Sequence, residues 1–336
     1  MKNKQLIITF LLVALACATI TGIAINRHND DWSTEPSNSN NAVAHYQNTI
    51  AVPPVPKTLT FAGETVPLEV YWVREALERE LINHCYQHSR TLQSIQRAGR
   101  YFPLMKPILE KENVSADFLY LCVAESNLEN VVSPAKATGF WQFMEATGKR
   151  YGLEISGEVD ERYHLEKATQ AACQYLKKCK KELGNWTLAA AAYNMGENGL
   201  KTAINNQNTA NYWELYLNAE TARYIYRILA YKLIMENMEQ YGITVCQADI
   251  YHPIPCKEIV VNSSIADLYD YAKSQHVTYR ELKMLNPWLR STKLTLAQGK
   301  TYRLQLPITP KQHFDELFKN IHNPHVLMND IFGGIQ

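Results

Sequence analysis

The chain has almost no net charge: 34 Lys and Arg offset 33 Asp and Glu, leaving a formal +1 over 336 residues. No global field points to nucleic acid, and no run of Lys or Arg forms a phosphate-binding stripe. Cysteine is scarce and poorly spaced for metal. None of the seven forms a CxxC pair or alternates with histidine at ligand spacing, which argues against zinc. Cys173 and Cys179 lie six apart on an expected helix, so their side chains point to different faces. Cys246 and Cys256 could bridge across an irregular segment in an oxidising compartment; buried free thiols are the simpler reading. What the chain does have is aromatic surface, with 20 Tyr and 6 Trp. These residues suit sugar-binding grooves, but equally suit ordinary cores.

The N-terminus is the clearest compositional feature. Lys2 and Lys4 precede an uncharged stretch, Gln5 to Asn26, that is strongly apolar over Leu6–Ile25. A positive start followed by such a run signals export. A signal core is usually shorter, whereas about 20 apolar residues can span a bilayer. Ala14-Leu15-Ala16-Cys17 also resembles a bacterial lipobox, in which Cys17 would carry lipid. A signal peptide, a lipoprotein signal and an uncleaved anchor over residues 1–27 therefore all stand open. Each puts the remainder outside the cytoplasm, attached to the membrane by this segment or its lipid in two of the three.

Residues 28–57 are rich in Asn, Ser, Asp and Pro and end in Val52-Pro53-Pro54-Val55-Pro56, a flexible linker by composition. Helical periodicity then dominates residues 58–248. Ser115 is the expected N-cap of a helix through Phe118, Leu121 and Ala124. A short helix is expected across Phe140, Trp141, Phe143 and Met144, stopping near Gly152. Another runs from about Leu165 to Leu183, terminated by Gly184, and Asn185 caps the next, Trp186–Met195. The last spans Glu220 to about Tyr241. Residues 249–308 change character, with His252-Pro253-Ile254-Pro255 marking the boundary. Glu258–Val261 and Tyr302–Leu306 read as strands around two short helices, Ile265–Gln275 and Thr278–Leu285. Residues 309–336 form a tail without an interpretable signal. The fold class is mainly α, a helical domain with a small C-terminal β-α-α-β module.

Glu125 closes the apolar segment Leu119–Ala124. A carboxyl leaving a buried helix at a cleft rim is partly desolvated, which favours its neutral form. Such an acid can protonate a leaving oxygen near neutral pH. Alone, this would describe many helix-end glutamates. The surrounding order changes that: Glu125-Ser126, then Ser133-Pro134-Ala135, then Ala137-Thr138-Gly139-Phe140-Trp141-Gln142-Phe143-Met144, later Ala192-Tyr193-Asn194-Met195-Gly196, and finally Glu220-Thr221-Ala222-Arg223-Tyr224.

This ordered set resembles the lytic transglycosylase family, with its goose-type-lysozyme-like helical fold, and is nearest to the group of membrane-bound lytic murein transglycosylases D. The resemblance spans roughly residues 60–245. It implies that Glu125 is the single catalytic acid and base, with Ser126 following it in the motif. It implies a groove lined by Gln142, Tyr193, Asn194, Glu220 and Tyr224, and no metal or organic cofactor. The partner implied is peptidoglycan, cleaved between N-acetylmuramic acid and N-acetylglucosamine with closure of a 1,6-anhydro ring. The place implied is the periplasmic side of a bacterial envelope. A hydrolytic muramidase, with water activated by Glu220, and a non-catalytic cell-wall-binding protein are the competing readings. Two positions depart from the family pattern. Lys136 stands where glycine is usual, so a loop needing positive φ there would have to bend differently. Asn218-Ala219 stands where a proline-containing pair commonly precedes Glu220. The C-terminal module resembles a degenerate LysM unit around Leu285-Asn286-Pro287.

Overall fold

The structure is a computed structural model that describes residues 50–313 together with Glu316 and Leu317. The export segment with Cys17, most of the linker and most of the tail lie outside the described residues. A two-residue-per-strand hairpin, β1 (Thr60–Phe61) with β2 (Glu64–Thr65), opens the described chain. Helix α1 (Tyr71–Tyr86) buries Val73, Leu77 and Leu81, a four-residue spacing that keeps one face apolar. Helix α2 (His88–Lys111) follows directly and accommodates Pro103 and Pro107 within it.

Helix α3 (Phe118–Ser126) runs through the core, with every residue buried except Glu125. A helix apolar on all sides must be enclosed by others. Its N-cap position is Asp117 rather than Ser115, whose hydroxyl accepts from the Asp117 N–H at 3.2 Å. The Asp117 carboxylate is drawn elsewhere, to the Ala62 N–H at 2.7 Å and Lys232 at 2.5 Å.

The helix expected from Phe140 to near Gly152 forms only in its second half, stopping where expected but leaving Phe140–Met144 outside it. Thr138 bridges both Val132 and Phe143, and helix α4 (Glu145–Arg150) begins only afterwards. Gly139 at φ +83° and Gln142 at φ +50° are incompatible with a continuous right-handed helix. The apolar cluster that suggested one is instead core: Trp141 is fully buried, its indole N–H donating to Thr169 Oγ1 at 2.9 Å.

Helix α5 (Leu165–Leu183) stops at Gly184, φ +97°. Helix α6 (Trp186–Met195) is capped by Asn185, whose Oδ1 accepts from the Leu188 N–H at 2.8 Å. The Glu64 carboxylate also accepts from the Trp186 and Thr187 N–H groups, so an anion sits at the positive end of the helix. Helices α7 (Glu197–Gln207) and α8 (Ala219–Glu236) complete the helical body. The α-helix ends at Glu236, and a separate 3₁₀ turn, Met238–Tyr241, occupies the rest of the expected span. Asn218 takes the place of the family's proline pair as an N-cap, accepting from the Glu220 and Thr221 N–H groups.

In the C-terminal module, β3 (Cys256–Val261) pairs antiparallel with β4 (Tyr302–Pro307), Cys256 opposite Pro307 and Val261 opposite Tyr302. Between them lie α9 (Leu268–Ser274) and α10 (Tyr279–Leu285). The first starts three residues later than expected because Asp267 caps it, while Ile265 bridges Leu294. Thr278 and Glu281 form a reciprocal capping box at the start of α10. The module has its own apolar core around Leu268, Leu282, Leu289 and Leu304, to which the helical body contributes Val159 and Tyr163. Cys246 and Cys256 are both half-buried free thiols rather than a bridge.

Candidate active site

Glu125 sits one residue from the C-terminal end of α3. Asn127, at φ +56°, turns the chain away immediately afterwards, leaving the carboxyl at the margin of an otherwise enclosed helix. Burial pushes its pKa up to about 7. The Tyr224 hydrogen bond and the Arg227 charge pull in the opposite direction, while the Glu220 charge adds to the rise. Desolvation prevails, and the group is poised between acid and base at neutral pH.

Helix α8 supplies the groups that face it. Tyr224 donates its hydroxyl directly to Glu125 Oε1. Burial, reinforced by the Glu125 charge, holds the Tyr224 phenol well above its usual range, so it remains a donor. Glu220 and Arg227 flank Tyr224 on one helical face by their four- and three-residue spacing. Arg227 grips Glu220 through two nitrogens, at 3.0 and 3.5 Å. Glu220 is exposed, so this pair modulates the field at Glu125 from the solvent side.

Further candidate residues come from α6 and the 136–143 loop. Tyr193 donates to the Trp141 carbonyl at 2.7 Å, and its ring packs among Trp141, Phe143 and Tyr175. Asn194 accepts from Thr221 Oγ1 at 2.8 Å, tying the end of α6 to the start of α8. Gln142 donates its amide N–H to the Val131 and Gly139 carbonyls at 3.1 and 2.7 Å, leaving its carbonyl oxygen as the available acceptor. Ser126 is placed differently. It is buried, and its hydroxyl donates back to the Cys122 carbonyl at 3.2 Å, a helix-end role.

Lys136 itself takes φ +66°. The loop therefore keeps its bend despite the missing glycine, contrary to the expectation of a different path. Its N–H donates to the Ser133 carbonyl at 2.8 Å, closing the turn.

Residues 104–216 match the family profile described as Transglycosylase SLT domain. Over those residues the helical body is similar to an SLT domain. Residues 257–310 match the Soluble lytic transglycosylase C-terminal LysM-like domain. The chain is 28% identical to Membrane-bound lytic murein transglycosylase D of Escherichia coli K12 over 74% of its own length and 54% of that protein's. The counterpart in Escherichia coli O6:H1 (strain CFT073) matches with the same identity and coverage. The chain thus spans about half the length of these relatives.

The SLT match takes in Glu125, Ser126, Gln142, Tyr193 and Asn194, whereas Glu220 and Tyr224 lie C-terminal to it. Tyr224 bonds Glu125 directly, Tyr193 lies within reach of its charge, and Asn194 is tied to the helix of Tyr224 through Thr221; Gln142 bonds the Val131 and Gly139 carbonyls, and Ser126 bonds within its own helix. Two participants escaped the sequence reading. Arg227 was detectable, because its seven-residue spacing from Glu220 puts both on one face of α8. Arg162 was not. It is a buried guanidinium whose Nη1 donates to the Lys136 and Phe143 carbonyls, each at 3.3 Å, and those partners lie 26 and 19 residues away.

Proposed function

We propose that the chain is a peptidoglycan lytic transglycosylase in which Glu125 acts alone, first as acid and then as base. The observation that carries this reading is the half-buried Glu125 carboxyl, raised to about 7 and hydrogen-bonded by Tyr224. The SLT match and the murein-cleaving relatives support the substrate class. The LysM-like match supports a glycan strand as the partner.

Protonated Glu125 donates to the oxygen joining N-acetylmuramic acid to N-acetylglucosamine, and the C1–O bond breaks. The acetamido oxygen of the muramic residue closes onto C1 and carries the developing positive charge. The 6-hydroxyl then attacks C1, opens that ring and returns its proton to the Glu125 carboxylate. The products are a 1,6-anhydromuramic end and a free N-acetylglucosamine hydroxyl, with no water consumed. Tyr224 stabilises the carboxylate that exists between the two transfers. Ordinary glycosidases need a second free carboxylate. Here Glu220, the carboxylate whose charge acts on Glu125, has both oxygens on Arg227, which favours the one-carboxylate route over activation of water. Gln142, Tyr193 and Asn194 line the strand.

The site of action follows as part of the same proposal. Residues 1–27 would export and anchor the chain at the periplasmic side of the envelope, residues 28–57 would tether it, and 58–248 would form the catalytic domain. The name of the relatives, membrane-bound, is consistent with that. Among the described residues no helix is long and apolar enough to cross a membrane; the apolar segment lies before them.

Digestion of purified sacculi followed by mass spectrometry tests the reading. Anhydro-ended muropeptides are expected, and Glu125→Gln should stop their release. Reducing ends would replace this reading with a hydrolytic muramidase, and intact strands would leave a wall-binding protein.

A further inference from the structure

The LysM-like module is not tethered by a free linker but seated on one segment of the helical body, residues 154–164. Its backbone is joined there: the Asp160 N–H donates to the Trp288 carbonyl at 2.9 Å, and the Arg290 N–H to the Glu158 carbonyl at 2.8 Å. Val159 bridges Leu289 and enters the module's own core. Glu158 accepts from the Thr295 N–H at 2.7 Å and pairs with Lys293 at 3.3 Å, while Glu154 pairs with Lys300 at 2.6 Å. The ring of His164 stacks on Trp288.

The same segment also holds the 136–143 loop. Asp160 holds Arg162 by two side-chain contacts, at 3.0 and 2.7 Å. Arg162 Nη1 in turn bonds the carbonyls of Lys136 and Phe143, the two ends of the loop that contains Gln142. Between them, a Cβ built on Gly139 would lie 2.0 Å from the Arg162 carbonyl oxygen, so the two backbones touch. A continuous series of contacts runs from the module, through Asp160 and Arg162, to Gln142.

We propose that the LysM-like module is a positioning element of the groove, holding the Asp160–Arg162 pair and through it the Gln142 loop. Its functional consequence rests on the glycan-cleaving reading above; the mechanical coupling does not. A module that only gathered substrate would matter for long strands and sacculi. A module that positions Gln142 matters also for a fragment too short to reach it.

The test uses the full chain carrying Glu154→Lys and Glu158→Lys, which sets lysine against Lys300 and Lys293. Hydrogen exchange should quicken at residues 158–160 and also at 139–143. With a purified four-sugar glycan fragment as substrate, kcat/KM should fall about tenfold to a hundredfold, chiefly through KM. Adding Lys293→Glu and Lys300→Glu restores the pairs in reverse, and should recover both slow exchange and cleavage. Faster exchange at 158–160 with 139–143 and short-fragment cleavage unchanged would overturn the proposal. So would reversed pairs that restore slow exchange at 158–160 but not at 139–143, since the module would then be seated again without holding the loop. If the wild-type chain cleaves no glycan, the transglycosylase reading falls, and exchange at 139–143 still decides the coupling.

Discussion

Tyr224 of α8 donates its hydroxyl to Glu125 of α3, joining the ends of two core helices at the one unburied residue of α3. The bond sets a contest at Glu125. Burial drives the carboxyl toward its neutral form, while the phenol favours the anion. Both forms are needed in turn by an acid that becomes a base, and a pKa near the working pH serves both transfers.

Removing the phenol should tip that contest. In Tyr224→Phe the donor that lowers the Glu125 pKa is gone, so the carboxyl stays protonated to higher pH. The first step needs the protonated acid, so in the wild type activity declines as pH rises through about 7. That alkaline limb should move upward in the variant. The carboxylate formed midway also loses a charge-assisted hydrogen bond worth about 1.5–3 kcal/mol, so maximal kcat should drop about tenfold to a hundredfold. A pH–rate profile with an unmoved limb would remove Tyr224 from the titration.

The same residue should burden the fold. A carboxyl whose folded pKa is about 7, against an ordinary value of 4.5, binds its proton more tightly when folded. Its contribution is fully present below about pH 4.5 and is lost as pH rises through about 7. Glu125→Gln keeps the shape without the charge. It should be more stable than the wild type at pH 8 by on the order of 1–2 kcal/mol, after discounting for partial exposure. The difference should shrink below pH 5. Urea melts at the two pH values measure it; equal differences at both would show that Glu125 titrates alike folded and unfolded. An inactive variant more stable than its parent is the expected signature of a functional site.

What could be read from the chain was whatever is decided locally. Gly184 and Asn185 end α5 and begin α6 through groups within four residues of one another, and both junctions stand as expected. The β-α-α-β order of the module was legible, with Thr278 and Glu281 carrying a cap within one turn, although the Asp267 cap on the Tyr269 and Asp270 N–H groups moved the first helix's start from Ile265 to Leu268. The helix that ends near Gly152 was started too early, at Phe140 rather than Glu145, because apolarity alone does not separate helix from core loop. The path of Phe140–Met144 is set by Arg162, far along the chain. Asp117 was hidden in a different way. Ser115 has better local credentials as a cap, and only the tertiary demand of Ala62 and Lys232 reveals where Asp117 points. The site residues were found by motif order; their geometry, above all the contact between Tyr224 and Glu125 across 99 residues, was not in any local pattern.

Two of the three left-handed positions in the loop of Gln142, Lys136 and Gly139, should respond oppositely to substitution. Lys136 has φ +66° with an exposed side chain, so its cost is backbone strain alone. Lys136→Gly relieves a left-handed conformation worth about 1–2 kcal/mol but loosens the unfolded chain by about 0.4–1 kcal/mol. A net gain of about 0.5–1 kcal/mol is expected, with cleavage unchanged. Gly139 has φ +83° and no space, since any Cβ meets the Arg162 carbonyl oxygen at 2.0 Å. Gly139→Ala must therefore push the loop off segment 154–164, combining backbone strain with loss of the Arg162 hydrogen bonds. A cost of about 3 kcal/mol or more is expected, together with loss of cleavage, because the displaced loop carries Gln142. Chemical denaturation of the two variants beside the wild type checks both signs. A destabilised Lys136→Gly would mean that its side chain, rather than its backbone, holds the turn.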